Sequence, residues 1–186
     1  MPHDLCPWWM GYLLISPLRR WFADKPETLL APWLQPGMTV LEPGPGMGFF
    51  SLPMARMVSA NGRVVTVDIQ PQMLEGLRRR AVRQGLGEII ETRLAAANSL
   101  GIEDLAGQVE FVLAFAVVHE IPSAATFFAE TAAAAKPGGK LLLAEPAGHV
   151  SPEQFAEELQ LAQSAGWKII DRPHVWRSQA ALFAKN

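Results

Sequence analysis

Met38-Thr39-Val40-Leu41-Glu42-Pro43-Gly44-Pro45-Gly46-Met47-Gly48 is the stretch that decides the fold. A short apolar run ends in an acid, and three glycines follow at alternate positions, ahead of a helical pattern from Phe49 to about Ser59. Glycines there let backbone N–H groups approach a ligand that a Cβ would hold off, so the stretch reads as strand, nucleotide-type loop and helix. A dinucleotide fingerprint needs its third glycine one place later, where Phe49 stands. Glu42 argues the same way. A carboxylate aimed into a loop that must hold a pyrophosphate would repel it, whereas it suits a ligand carrying an ammonium group.

An acid followed by Gly-x-Gly-x-Gly after the first strand resembles the first motif of the class I S-adenosylmethionine (SAM) dependent methyltransferases, of the small-molecule type. The resemblance runs from about Leu34 to the C-terminus and implies a second carboxylate at the end of the next strand, gripping the ribose hydroxyls. Arg63-Val64-Val65-Thr66-Val67-Asp68 is such a strand, rich in β-branched residues and followed by Pro71 at a helix start. Asp68 falls 26 positions after Glu42, room for one crossover helix and a turn at Asn61-Gly62. The alternative for Asp68 is a helix-capping acid.

Val109 to Val118 is apolar almost throughout, as expected of a central parallel strand buried on both faces, and opens onto His119-Glu120-Ile121-Pro122. Lys136-Pro137-Gly138-Gly139-Lys140 turns from a helix into Leu141-Leu142-Leu143-Ala144-Glu145, another feature shared with that family. Gly166 to Ile170 and Val175 to Lys185 resemble its closing antiparallel pair. The implied fold is α/β: a Rossmann-like, doubly wound, seven-stranded sheet of order 3-2-1-4-5-7-6, with the last-inserted strand antiparallel.

By the same resemblance, Gly44, Gly46 and Gly48 would hold the methionine part of SAM, Glu42 its ammonium side, Asp68 the ribose, and Ile69 would cover the adenine. Phe115, near the end of the fourth strand, joins this cofactor set. Many relatives place an Asp on the adenine amine from a segment before the fourth strand. Here that segment reads Ala95-Ala96-Ala97-Asn98-Ser99-Leu100, with Ala96 where the acid would stand. The contact is then missing, or is made by Asn98 or a backbone group near Ala97.

Strand ends carry the chemistry in such sheets. His119 is the candidate general base, since neutral imidazole is available near pH 7; the plainer role is to order its loop with Glu120. Glu145 could face the acceptor or be a carboxylate satisfied at a strand end. His3, Cys6, His119, His149 and His174 show no close metal-ligand spacing, and no metal is expected. The arsenite methyltransferases of this domain type rely on several cysteines, so one cysteine argues against that substrate.

The organisation expected is an N-terminal helical segment, residues 1–33, capping the site of a SAM-binding domain over residues 34–186. Trp8, Trp9 and Tyr12 stand in an aromatic and aliphatic stretch that must be covered by something. They would line an acceptor pocket, plug the open end of the sheet, or form a surface-seeking helix flanked by Arg19 and Arg20. Either this segment or the second subunit of a homodimer would serve as lid.

With 186 residues and 49% hydrophobic content, the chain can bury one full α/β core. A formal net charge of −2 and no long basic run argue against nucleic acid. Arg78, Arg79, Arg80 and Arg83 are expected on a solvated helix face. No run spans a membrane, no signal peptide is recognisable, and a single cysteine forms no intrachain disulfide, so membrane association is not expected and the cytoplasm is the expected compartment. The function expected is methyl transfer from SAM to a small, partly apolar organic acceptor. The alternatives are a non-catalytic SAM-binding protein and a nicotinamide-dependent oxidoreductase, which Phe49 and the single nucleotide-binding half disfavour.

Overall fold

The computed structural model describes residues 25–186. Its strands are β1 (Thr39–Pro43), β2 (Arg63–Asp68), β3 (Ile90–Leu94), β4 (Val109–Phe115), β5 (Ala135–Pro146), β6 (Trp167–Asp171) and β7 (Ser178–Lys185). They lie in the expected order β3-β2-β1-β4-β5-β7-β6, with β7 antiparallel to both β5 and β6. The helices are α1 (Pro26–Leu30), α2 (Ser51–Val58), α3 (Pro71–Arg83), α4 (Ala124–Ala134) and α5 (Pro152–Ser164). Of the expected N-terminal helical segment, α1 is described; Trp8, Trp9 and Tyr12 lie outside the described residues. The chain divides into two compact halves, up to Ala95 and from Ala96 onward.

In the first half, β1 and β2 are parallel, Leu41 opposite Val65, and β2 and β3 likewise, Val65 opposite Glu91. Val40, Leu41, Val64 and Val65 are fully buried, which is why these strands read as continuous apolar runs and not as alternating ones. The helix expected from Phe49 to Ser59 is shorter at both ends. Gly48 enters at φ +87 and Ser59 leaves at φ +60, neither of which continues an α-helix. Gly62 then turns the chain back. A Cβ there would lie 2.6 Å from Val58 Cβ and 2.8 Å from the Met38 carbonyl oxygen.

α3 opens with Pro71 after extended Gln70, where a proline costs no helical hydrogen bond, and buries Met73, Leu74, Gly76, Leu77 and Ala81. Arg78 and Arg79 are exposed and pair with Glu75 at 3.1 and 3.4 Å, as a solvated face should. Arg80 departs from that expectation: its guanidinium donates to the carbonyl of Met47. It follows Leu77 by three residues and Gly76 by four, so the helical period carries it to the edge of the buried side.

In the second half, β4 is parallel to β5 and ends at Phe115, three residues short of the expected run. The reason is local. Ala116 takes φ +54, and Val117 and Val118 give their N–H groups to Glu145 in place of a neighbouring strand. The expected turn at Lys136–Lys140 is a bulge inside β5: Val109 stands opposite Ala135, but Phe111 stands opposite Lys140. Gly138 takes φ +76, and a Cβ on Gly139 would sit 2.9 Å from the carbonyl oxygens of Lys136 and Val109. Ser123 caps α4, accepting from the Thr126 N–H at 3.2 Å. Ser151 and Gln154 form a reciprocal capping box on α5 at 3.2 and 2.9 Å. The closing strand expected from Val175 begins at Ser178, because Arg177 takes φ +54 and leaves Val175 only an isolated bridge to Ser178.

Candidate active site

The first half gathers the glycine loop and two acids. Gly44 (φ +67) ties the end of β1 to β2 through its N–H to the Val67 carbonyl at 2.8 Å, and the Gly48 N–H returns to the Pro45 carbonyl at 3.0 Å. Gly48 is packed from behind: a Cβ would lie 2.5 Å from Leu77 Cδ1. Gly46 is the opposite case, with φ +54 and no atom within 4 Å of where a Cβ would be. The loop is therefore held by α3 on one side and open at Gly46.

Behind it, Glu42 is 3% exposed, and its carboxyl accepts one hydrogen bond, from the Ser51 hydroxyl at the start of α2. Burial pushes it up to about 8; the Ser51 bond opposes the rise and the negative Asp68 adds to it. Such a group holds its proton near neutral pH until a cation approaches. Asp68 ends β2, half-buried, where its Oδ1 accepts the Gln70 N–H at 2.8 Å in an Asx-type turn. Ile69 beside it is 42% exposed, an apolar side chain at the surface next to the second acid. A buried acid with the Ser51 hydroxyl as donor, a glycine facing open space and a second acid at the next strand end have a chemistry compatible with SAM, which carries an ammonium, a sulfonium and a ribose.

The second half gathers His119, Glu120, Glu145, His149 and Glu158. Glu145, near the end of β5, is fully buried. Its Oε1 accepts from the N–H groups of Val117 (3.2 Å) and Val118 (2.8 Å), and its Oε2 meets His119 Nδ1. His119 keeps 21% side-chain exposure, with Nε2 4.0 Å from Glu120 Oε1 and its ring centroid 6.0 Å from that of His149. The Glu145 hydrogen bond raises the imidazole above its ordinary value; burial opposes it, and the charges of Glu145, Glu120 and Glu158 add to the rise. Burial also raises Glu120, with Glu145 adding to it and His119 opposing. Glu158 on α5 is pushed up to about 7, first by burial and then by Glu145, and its Oε2 is buried without a hydrogen-bond partner.

Ala96, Ala97 and Asn98 form an exposed turn, Ser99 N–H to Ala96 carbonyl at 3.4 Å. Phe115 is half-buried at the end of β4. Glu145, one of whose expected roles was to face the acceptor, has both oxygens engaged inside the protein. Ser51, Arg80, His149 and Glu158 were not anticipated. Arg80 had a signal: Gly76 interrupts an otherwise helical pattern, which marks a close approach, and a Cβ there would lie 3.1 Å from Met47 Cγ. Among the described residues, no group of three or more His, Cys, Asp or Glu is arranged to hold a metal ion, and no helix is long and apolar enough to cross a membrane.

A family model for the methyltransferase domain matches residues 41–143, more than half of the chain. The ubiquinone/menaquinone biosynthesis C-methyltransferase UbiE of Brucella anthropi is 31% identical over 139 residues, covering 73% of this chain and 51% of its own. The arsenite methyltransferase of Halobacterium salinarum is 29% identical over 128 residues, covering 69% of this chain and 31% of its own. The chain thus spans about half and about a third of the length of these curated relatives. The crystal structure of a SAM-dependent methyltransferase from Aquifex aeolicus superposes with a TM-score of 0.82 at 24% identity, covering 97% of this chain and 98% of that one, which shows the same fold. With the glycine loop and both acids in place, the chain belongs to the class I SAM-dependent methyltransferase family, whose cofactor is SAM.

Proposed function

We propose that this protein transfers a methyl group from SAM to a small, partly apolar organic acceptor. The observation that carries the reading is Glu42: a buried carboxyl pushed up to about 8, with one hydroxyl donor, behind a glycine that faces open space. Such a group is costly to ionise alone and inexpensive to ionise against an ammonium.

SAM, when bound, would supply a sulfonium-activated methyl group, which an acceptor atom takes by in-line attack on the methyl carbon with a thioether as leaving group. The chain's part is positioning and proton handling. The Gly44–Gly48 loop would hold the aminoacyl end, with Glu42 ionising against the ammonium. Asp68, steadied by the Gln70 N–H, would accept from the ribose, and Ile69 would cover the adenine. Ala96, Ala97, Asn98 and Phe115 would complete the cofactor set. His119 would act as general base for an acceptor that must lose a proton, and its 21% side-chain exposure and the nearby Glu120 support that role. Trp8, Trp9 and Tyr12, outside the described residues, would line the acceptor pocket, with their segment or a second subunit as lid. A cytoplasmic setting suits the single cysteine.

Calorimetric titration with SAM, S-adenosylhomocysteine and NADH, repeated on Asp68→Ala, tests the reading. Binding of SAM or its product, lost in the variant and absent for NADH, is expected. Binding of NADH in place of SAM would end it.

A further inference from the structure

We propose, resting on the general-base reading of His119, that Glu145 is a positioning residue: it holds His119 with the proton on Nδ1 and leaves Nε2 as the nitrogen that receives a proton from an acceptor O–H or N–H. The geometry divides the two oxygens of Glu145 between two tasks. Oε1 is clamped by the consecutive amides of Val117 and Val118 at 3.2 and 2.8 Å, which point at it because Ala116 bends the chain at φ +54. Oε2 faces Nδ1. An ionised carboxylate only accepts, so Nδ1 must donate, and a neutral imidazole has no second proton for Nε2.

The groups facing the imidazole are Glu145 from β5, Glu120 from its own turn, His149 from the loop after β5, and Glu158 from α5. Three carboxyls around one imidazole favour the imidazolium that proton uptake creates. In the step this serves, the acceptor atom bonds the methyl carbon as the methyl–sulfonium bond breaks to leave a thioether. The acceptor's proton passes to Nε2 and then to water. Acceptors whose receiving atom carries no proton, such as a tertiary amine or a thioether, gain nothing from the arrangement, so the acceptor class is one whose receiving atom has a proton to lose, a hydroxyl or a neutral N–H first among them.

Glu145→Gln discriminates. Its amide oxygen is retained by the two backbone donors, so its NH₂ faces Nδ1 and must donate to it, which moves the ring proton to Nε2 and blocks the base. The experiment is a two-bond imidazole proton–nitrogen correlation on ¹⁵N-labelled protein from about pH 5 to 9, the span in which imidazoles titrate, with His119 assigned by its loss in His119→Gln. Wild type should carry the neutral-form proton on Nδ1 and titrate above the ordinary imidazole value of about 6.5. The Gln variant should exchange the two nitrogen resonances and titrate lower. A wild-type proton on Nε2, or a Gln variant with unchanged tautomer and titration, overturns the proposal. The wild-type tautomer decides by itself if the variant does not fold. SAM titrations of the same samples keep the two questions apart, because absence of SAM binding to wild type would sink the methyltransferase reading and leave the tautomer result standing.

Discussion

Glu42 in the first half and Glu145 in the second are both buried, at 3% and 0% exposure, yet they are provisioned differently. Glu145 receives two backbone amides and an imidazole, while among the described residues Glu42 receives the Ser51 hydroxyl. A carboxylate with three donors belongs to the architecture: it closes a turn and orients a side chain. One with a single donor is costly to ionise, and a nearby cation would lower that cost, which is the role proposed above for the ammonium of SAM. On that proposal the two halves use the same residue type for opposite ends, one to finish a structure and one to receive a ligand.

The largest effect is expected from removing the one that finishes a structure. Glu145→Ala strands two buried amides, at about 1–3 kcal/mol each, and should lower stability by about 2–6 kcal/mol in denaturant unfolding. Glu42→Ala orphans only one hydroxyl and should cost far less. Equal losses would erase the distinction between the two glutamates.

Next comes the pH dependence of Glu42. Its folded-state value, about 8, lies above the unfolded 4.5, so its contribution to stability is fully present below pH 4.5 and is lost as pH rises through about 8. Relative to Glu42→Gln, wild type without ligand should weaken over that window by on the order of 5 kcal/mol, read as a pH series of unfolding midpoints. SAM binding near pH 7 should release a fraction of a proton, seen as a binding enthalpy that varies with the ionisation enthalpy of the buffer. The variant should show neither effect. A wild type that takes up protons on binding SAM would contradict the assignment of Glu42 to the ammonium.

The glycines sharpen the same contrast within one loop. Gly48→Ala meets Leu77 at 2.5 Å at φ +87, and should cost about 1–3 kcal/mol in thermal unfolding. Gly46→Ala meets nothing within 4 Å. It should cost about 1 kcal/mol for its left-handed backbone, while weakening SAM at least tenfold by calorimetry. If Gly48→Ala impaired binding alone and Gly46→Ala stability alone, the packed and open sides of the loop would be reversed.

The sheet order, the glycine loop and the acids at the ends of β1 and β2 were legible in the sequence because each is a local pattern: a β-branched run, an acid near its end, glycines at a tight turn. What escaped depends on partners distant in the chain. Glu145 lies 26 positions beyond His119, and only the parallel pairing of β4 and β5 brings the two together. Nothing in Val109–Val118 announced that Ala116 would leave the strand, since the amides that end it are claimed by that same distant carboxylate. Arg80 was misplaced for a related reason. A basic run reads as solvated, but a guanidinium can reach round a helix to a loop carbonyl that sequence does not place there.

Glu158 offers the smallest effect and a check on the second half from within. It stands near Glu145 and His119, pushed up to about 7, with Oε2 buried and unpartnered, so it resembles Glu42 more than Glu145. Its raised value gives it the same sign: its contribution is complete below pH 4.5 and is lost as pH rises through about 7. Glu158→Gln should therefore match wild type in acid and exceed it above pH 7, by about 1 kcal/mol for a partly screened carboxylate. It should also lower the His119 titration, because one of the charges that raises it is gone. A variant weaker than wild type above pH 7 would mean that the Glu158 carboxylate is stabilised as an anion, and Glu42 would then be the one glutamate of this pair that is costly to ionise.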